Sequence, residues 1–268
     1  MPKQNEHQIP PSAPPSVLTD YRDWFWTLAW DNAPNIQTWA LDRPDGRRRY
    51  LKLARTGRYP SLADEEARMR WARTFLPVPQ VLGAGSEDET DWLLTVGLPG
   101  TSAVAASLIA EPSLLVPALA RGLRRFHEAP IAECPFDFRV VHALGHVQKR
   151  VANRLIDYAE HLHPEHRHLG ADSVVEELVR LAPSTEDLVV CHGDYCLPNA
   201  LLQDGEVTGF VDLGELGVAD RWWDLAIATW SVTWNLGPGW EDLFLQTYGI
   251  ERDERRVRFY RLLYDLVS

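Results

Sequence analysis

One polar loop constrains this chain more than any other part of its sequence. The loop and the turn after it read His192-Gly193-Asp194-Tyr195-Cys196-Leu197-Pro198-Asn199 and Phe210-Val211-Asp212-Leu213-Gly214. Asn199 follows Asp194 by five residues, and Asp212 follows it by eighteen. Taken singly, such residues usually form turns or caps. An H-x-D-x-x-x-x-N loop followed by a D-x-G turn, with apolar strands on either side, indicates a chemical site instead.

The chemistry that needs these residue types at this spacing is phosphoryl transfer. One carboxylate must orient the attacking hydroxyl or accept its proton. A carboxamide oxygen and a second carboxylate must hold Mg²⁺ against the nucleotide phosphates. The loop and the turn together supply that set of groups.

A lysine upstream of the loop fits the same chemistry. Lys52 lies between Leu51 and Leu53 in a segment that alternates like a strand. A lone lysine in a strand usually lies at a solvated edge, but kinases place here the lysine that pairs the α- and β-phosphates. Glu65, early in the next helix, is its candidate partner. Glu66 is the alternative, because both acids also suit the dipole of a helix N-terminus.

The order of elements predicts an α+β fold of two lobes, resembling that of protein kinases, with a small β-rich N-lobe and a larger helical C-lobe. Residues 24–30, 36–41 and 49–54 predict an antiparallel meander. A helix follows, with Ser61 as its N-cap, Asp64 three residues on, and a buried face that includes Phe75. From about residue 113 the chain is mainly helical, apart from a β-pair. We expect the pair between 188–191 and 206–212.

These patterns predict three segments. The first is a flexible Pro-rich tail over 1–20, since its sequence is polar and rich in proline. The second is a nucleotide-binding lobe over 21–97, and the third is a catalytic and substrate-binding lobe over 98–268. Gly97-Leu98-Pro99-Gly100 predicts the hinge between the two lobes.

Composition and charge exclude several classes of function. The net charge of -11 argues against nucleic-acid binding, which needs a basic face. No apolar run approaches the length of a membrane span, and the first residues lack the pattern of a secretory signal. Three cysteines without disulfide or zinc spacing fit a reducing compartment. We therefore expect a cytoplasmic protein without nucleic-acid or membrane partners, as a monomer or weak dimer.

The full pattern resembles one family. The catalytic loop and the run Gly209-Phe210-Val211-Asp212-Leu213-Gly214-Glu215-Leu216-Gly217-Val218-Ala219-Asp220-Arg221-Trp222-Trp223-Asp224-Leu225-Ala226 are similar to the aminoglycoside 3'- and 3''-phosphotransferases. The resemblance spans most of the chain. Residues 31–35 contain no glycine and no A-P-E segment occurs, which argues against a protein kinase.

The resemblance implies a role for each matching residue. Asp194 would be the catalytic base, Asn199 and Asp212 would bind Mg²⁺, and Lys52 with Glu65 would hold phosphate. Backbone groups from Val96 to Leu98 would bind the purine of ATP or GTP. Residues 31–35 would cover the phosphates, with these central positions: Asn32, Ala33 and Pro34. Asp220 and Asp224 would brace the loop.

The chain departs from the family pattern at positions expected to contact the substrate. Glu215 stands where the family usually has Arg, and Tyr264 replaces one of two acids that would meet an ammonium group of an aminoglycoside. Two tryptophans stand where the family has Arg and acidic residues. We expect an acidic and aromatic substrate pocket, with these candidate residues: Asp265, Glu160, Glu165, Trp230 and Trp234. The alternative for both tryptophans is core packing.

The implied activity is transfer of the γ-phosphoryl group of ATP or GTP to a hydroxyl of an aminoglycoside, which gives resistance by inactivation. Three alternatives stay open. The acceptor could be another cationic antibiotic, such as a capreomycin- or viomycin-type cyclic peptide, or a small metabolite. The chain could also be a catalytically dead kinase fold that only binds ligands, although its complete set of catalytic residues argues against that.

Overall fold

A computed structural model describes Pro10 and residues 13–32, 36–158 and 162–267. The chain divides into two compact units between Leu98 and Pro99. The first unit contains α1 (Pro15–Tyr21), β1 (Phe25–Asn32), β2 (Ile36–Asp42), β3 (Arg48–Arg55), α2 (Leu62–Ala72), β4 (Val81–Glu87) and β5 (Thr90–Val96).

The second unit is mainly helical. Its helices are α3 (Ala106–Ile109), α4 (Pro112–Phe126), α5 (Val140–Ala152), α6 (Ala171–Leu181), α7 (Trp222–Leu236), α8 (Glu241–Tyr248) and α9 (Glu254–Val267). Its strands are β6 (Thr101–Ser102), β7 (Leu188–Cys191), β8 (Ala200–Gln203), β9 (Glu206–Phe210) and β10 (Gly217–Asp220). A β-rich unit followed by a helical one confirms the predicted α+β class.

The first unit is built on an antiparallel sheet with strand order β1-β2-β3-β5-β4. Lys52 of β3 lies between Thr38 of β2 and Leu93 of β5 in the register. Leucines and tryptophans on one face form a core, which includes Trp26, Leu41 and Leu51. The alternation of the central strand therefore fixes which way each β3 side chain points.

Two expectations for the first unit are corrected. The described part of the proposed tail forms α1, and Val17 of this helix is buried against the sheet core, so residues 15–20 are ordered. The capping box of Ser61 and Asp64 is present at α2. Phe75, however, lies beyond the end of this helix and is exposed. The turn before Pro77 rotates it away from the buried face.

The strand pairing of the second unit differs from the predicted one. β7 pairs with β10, and β9 pairs with β8 through a hairpin whose turn contains Asp204 and Gly205. The predicted pair of 188–191 with 206–212 is therefore wrong. A two-residue Asp-Gly turn favours pairing between sequence neighbours, and that leaves β7 for β10.

The core of the second unit surrounds α7. Every residue of this helix from Trp222 to Val232 is buried, and α9 packs along it. The apolar faces of α4 and α9 are buried as well. Among the described residues, no helix combines the length and apolar character that a membrane crossing needs.

Candidate active site

The polar loop begins where β7 ends, and a glycine fixes its path. Gly193 has φ +91°, a conformation that L side chains rarely adopt. A Cβ on it would lie 2.4 Å from the carbonyl oxygen of Glu215. Only glycine therefore allows these two backbone segments to approach so closely.

A buried carboxylate holds the start of the loop. Asp224 of α7 accepts hydrogen bonds from the amides of His192 and Gly193, at 2.6 and 2.9 Å. It also lies 2.9 Å from Nε2 of His127. The side chain of Asp224 is fully buried, so these donors replace the water that its charge would otherwise need.

The imidazole of His192 joins the loop to the turn that carries Asp212. Its Nε2 lies 3.1 Å from the carbonyl oxygen of Val211, which only accepts hydrogen bonds. Its Nδ1 accepts from the amide of Asp194 at 3.3 Å. The proton is therefore assigned to Nε2, and the ring holds two segments in register.

Asp194 accepts hydrogen bonds from three side chains. Oδ1 accepts from the hydroxyl of Tyr264 at 3.0 Å and the thiol of Cys196 at 3.1 Å. Oδ2 accepts from the carboxamide nitrogen of Asn199 at 2.9 Å. Burial and the neighbouring charge of Asp212 raise the pKa of Asp194, while the bonds from Cys196 and Tyr264 act in the opposite direction.

Asn199 and Asp212, the two predicted metal ligands, are brought close together. The amide of Val211 donates to the carbonyl oxygen of Asn199 at 3.0 Å, which fixes the residue before Asp212. The nitrogen of the Asn199 carboxamide faces Asp194, so its oxygen points the other way. Asp212 has φ +63° and an exposed side chain. An oxygen-only set of a carboxylate and a carboxamide fits Mg²⁺.

A second group of possible ligand atoms is structural. His127, Cys191 and Asp224 lie within 4.8 Å of one another and are buried. However, His127 bonds Asp224 through Nε2 and the hydroxyl of Tyr248 through Nδ1. Burial also raises the pKa of Cys191 well above its ordinary value, which disfavours the thiolate that a metal would need.

In the first unit, Lys52 is paired with Glu65. Its Nζ lies 3.1 and 2.8 Å from Oε1 and Oε2 of this glutamate. Both side chains are largely buried, with exposed fractions of 13% and 6%. Glu66 instead bonds Arg70 on the solvent side of α2. The choice between the two acids is thus resolved in favour of Glu65.

The other predicted nucleotide contacts are only partly described. The amides of Val96 and Gly97 donate to the carbonyl oxygens of Gln80 and Arg48 within the first unit. Asn32 ends β1 and pairs with Ile36, whereas Ala33 and Pro34 lie outside the described residues.

The acid expected to meet an antibiotic ammonium is already bonded inside the protein. Asp265 is buried and accepts from the amide of His163 at 3.0 Å and from Nδ1 of His166 at 2.7 Å. Nδ1 of His163 contacts its other oxygen. Burial raises the pKa of Asp265, but the bonds from both histidines outweigh this and hold it below its ordinary value. This corrects the expectation that Asp265 faces the pocket.

The two remaining acidic candidates give little support to an acidic pocket. Glu165 is partly exposed, and its Oε1 lies 3.5 Å from Nε2 of His166. Glu160 lies outside the described residues. Residues 153–158 and 162–170, which flank Glu160, contain no helix.

The two tryptophans of α7 have different environments. Trp230 is 4% exposed, and the guanidinium of Arg261 lies 5.4 Å from its ring centroid. Trp234 is 46% exposed, and the ring of His163 stacks on it at 4.7 Å and 11°. Core packing is therefore the better interpretation for Trp230, and its π face is taken by the chain's own cation. Trp234 alone keeps an open surface.

Comparison with known proteins assigns the chain to a family. The profile of the phosphotransferase enzyme family matches residues 33–260. The aminoglycoside 3'-phosphotransferase of Streptomyces fradiae is 38% identical over 211 residues, which are 75% of this chain and 78% of that protein. The chain belongs to the aminoglycoside phosphotransferase family.

Solved structures of aminoglycoside phosphotransferases share its fold. An aminoglycoside 3'-phosphotransferase of type VIII superposes with a TM-score of 0.84 at 31% identity, covering 94% of this chain and 96% of that one. A 3''-phosphotransferase from Streptomyces rimosus, solved with ADP and streptomycin, gives 0.76 at 29% identity with the same coverages. The prediction of a kinase-like fold is thereby confirmed.

The sequence does not predict the contacts that several residues of this aminoglycoside phosphotransferase site make. Cys196 lies inside the quoted loop, but nothing in the spacing marks its thiol as a partner of Asp194. His163 and His166 lie in a segment without regular structure, so no periodicity identifies them. The sequence marks Tyr264 only as a replacement for an acid in an otherwise matching helix, and no pattern predicts its contact with Asp194.

Proposed function

We propose that this enzyme transfers the γ-phosphoryl group of ATP or GTP to the 3' or 3'' hydroxyl of an aminoglycoside, which gives resistance by inactivating the antibiotic. The observation that carries the proposal is the Asp194 carboxylate, held in a braced loop beside Asn199 and Asp212. The relatives named above, one of them solved with ADP and streptomycin, support the donor and acceptor classes.

In the proposed mechanism, Asp194 acts on the acceptor hydroxyl. Its carboxylate accepts the hydroxyl proton while the hydroxyl oxygen bonds to the γ-phosphorus and the bond to the departing ADP breaks. Asp224 and Gly193 hold the loop so that this carboxylate needs no rearrangement during the reaction. These two residues position the base without touching the reacting atoms.

Four further residues serve the nucleotide. Asn199 and Asp212 would hold Mg²⁺, which when bound neutralises charge on the phosphates. Lys52 would hold the α- and β-phosphates, with Glu65 keeping its ammonium in place. Among the described residues, Cys134, Cys191 and Cys196 form no disulfide bond, which fits a cytoplasmic enzyme, where ATP is available.

A second acceptor class is favoured by one specific observation. Asp265 is bonded to two histidines, and Tyr264 stands beside the base in place of an acid. A pocket with fewer available carboxylates suits a cationic antibiotic that is not an aminoglycoside, such as a capreomycin- or viomycin-type cyclic peptide.

A susceptibility panel tests the proposal. A sensitive host that expresses the chain is exposed to 3'-hydroxyl aminoglycosides, streptomycin, capreomycin and viomycin, beside the same host with Asp194→Ala. We expect resistance to at least one aminoglycoside, lost in the variant, and a product heavier by one phosphoryl group. Resistance to the cyclic peptides alone would favour the second class. Nucleotide binding with no phosphorylated product from any compound would contradict both.

A further inference from the structure

The hydroxyl of Tyr264 donates a hydrogen bond to Oδ1 of Asp194, the residue proposed above as the catalytic base. The donor–acceptor distance to Oδ1 is 3.0 Å. Tyr264 lies in the last turn of α9, outside the catalytic loop.

The donors around Asp194 differ in origin. A carboxylate offers about four acceptor positions, and three side chains use them here. Cys196 and Asn199 belong to the loop that carries Asp194, two and five residues further on. Among the described donors, only Tyr264 comes from another element, so only its bond can break without disturbing the loop.

The chemistry of this contact matches that of an acceptor. Both groups are hydroxyls that donate to the same carboxylate oxygen. Burial and the charge of Asp194 raise the pKa of Tyr264 well above its ordinary value, so the phenol keeps its proton and remains a donor. A hydroxyl that is about to be phosphorylated must make the bond that Tyr264 makes here.

The helix that carries Tyr264 is fixed on its other side. Asp265 is held by His163 and His166, and Leu263 and Leu266 are fully buried. The backbone of this turn is therefore anchored. Release of Asp194 therefore requires a rotation of the Tyr264 side chain and no movement of the helix backbone.

We propose that Tyr264 stands in for the acceptor hydroxyl: it occupies Oδ1 of Asp194 until an acceptor displaces it. The proposal rests on the proposed function of Asp194 as the base. While Tyr264 is in place, water is kept from this oxygen. Without it, a water oxygen can bond to the γ-phosphorus as its proton passes to Asp194 and the bond to ADP breaks, which yields ADP and phosphate.

Tyr264→Phe removes the hydroxyl and keeps the ring. We expect acceptor-free hydrolysis of ATP to rise about tenfold, the scale of one hydrogen bond to a charged group. The KM for streptomycin, used as the probe acceptor, should fall with little change in kcat, because the acceptor no longer displaces a bound hydroxyl. Tyr260→Phe is the matched control on the same helix, and it should change neither value.

A double variant separates this role from a structural one. Asp194→Ala combined with Tyr264→Phe should abolish the added hydrolysis, because the extra reaction uses this carboxylate. Tyr264→Leu is a second variant without the hydroxyl, and melting temperatures verify folding. Unchanged or slower hydrolysis in a folded variant would overturn the proposal, and so would failure of both variants to fold.

The assay also distinguishes this proposal from the broader one. Acceptor-free hydrolysis is measured without any antibiotic, so it reports on the contact between Tyr264 and Asp194 alone. If the wild-type enzyme phosphorylates none of the compounds tested while Tyr264→Phe still raises hydrolysis, the acceptor assignment fails and the role of Tyr264 stands.

Discussion

The carboxylate of Asp224 accepts a hydrogen bond of 2.6 Å from the backbone amide of His192, although the two residues lie 32 positions apart. The bond ties the first residue of the catalytic loop to the most buried helix of the second unit. Asp224 has no solvent contact, and it positions the start of the loop together with Gly193 and the imidazole of His192.

Replacing Asp224 with Ala should therefore lower stability and turnover together. The change leaves the amides of His192 and Gly193 buried without their acceptor, so the free energy of unfolding should fall by about 3–5 kcal/mol. Urea denaturation measures it. Asp242→Asn, at a largely exposed surface carboxylate, is the control and should stay within about 0.5 kcal/mol. A stable, active Asp224→Ala variant would show that the loop keeps its conformation without the Asp224 carboxylate.

Two glycines with positive φ test whether the close approach of the Gly193 and Glu215 backbones requires glycine. Gly193→Ala should lose activity and more than about 3 kcal/mol of unfolding free energy, because its methyl group meets the Glu215 backbone. Gly205→Ala, at φ +79° in open space, should lose only about 1–2 kcal/mol from backbone strain. Equal losses of unfolding free energy in the two variants would mean that the backbone conformation, and not the contact with Glu215, requires glycine at position 193.

Lys52 should govern nucleotide affinity through its charge and shape. Lys52→Ala should weaken binding of a nucleotide analogue about 10- to 100-fold, the scale of a lost hydrogen bond to a charged group. Lys52→Arg should rescue poorly, since a guanidinium fork does not replace an ammonium in a small buried site. Glu65→Ala should have a smaller effect and Glu66→Ala almost none. Isothermal titration checks the order, and a larger effect of Glu66→Ala would contradict the pairing with Glu65.

The tryptophans of α7 should respond differently to truncation. Trp230→Ala removes a buried ring and should cost about 3–5 kcal/mol. Trp234→Ala removes a half-exposed ring, so melting temperature should change little while the KM for the antibiotic rises severalfold through lost cation–π contact. Each variant is the control for the other. A large fall in melting temperature with unchanged KM for Trp234→Ala would place this ring in the core as well.

Local sequence patterns predicted much of the fold and the reaction centre. The capping box at Ser61, the register of β3 around Lys52, and the spacing of Asp194 and Asn199 all involve residues near one another in the chain. Such features depend on backbone geometry that the neighbouring side chains determine. Their positions in the structure follow those patterns closely.

Long-range choices were harder to predict. The sequences of β7 and β9 each have the pattern of a strand, but strand propensity does not identify the strand with which each one pairs. The Asp204-Gly205 turn is the local feature that favours pairing of β9 with β8. β4 was also missed, because Gly83 and Gly85 weaken its strand pattern while they make room for the ring of Trp92.

The environment of the candidate substrate-binding residues was the least predictable part of the structure. Asp265 is an acid at a family position, and nothing in its neighbourhood along the chain reveals the two histidines that bond it, about 100 residues away. The presence of an acidic residue at position 265 therefore does not show that its carboxylate is available to a ligand.

The central claim is that Asp194 is the catalytic base, and its removal tests this claim most directly. In Asp194→Ala, kcat for antibiotic phosphorylation at saturating ATP should fall at least about 10²-fold, the scale of a lost general base. Affinity for the nucleotide should stay nearly unchanged. Asp204→Asn, at the exposed hairpin turn, should keep wild-type turnover. Turnover close to that of the wild type in Asp194→Ala would contradict the account.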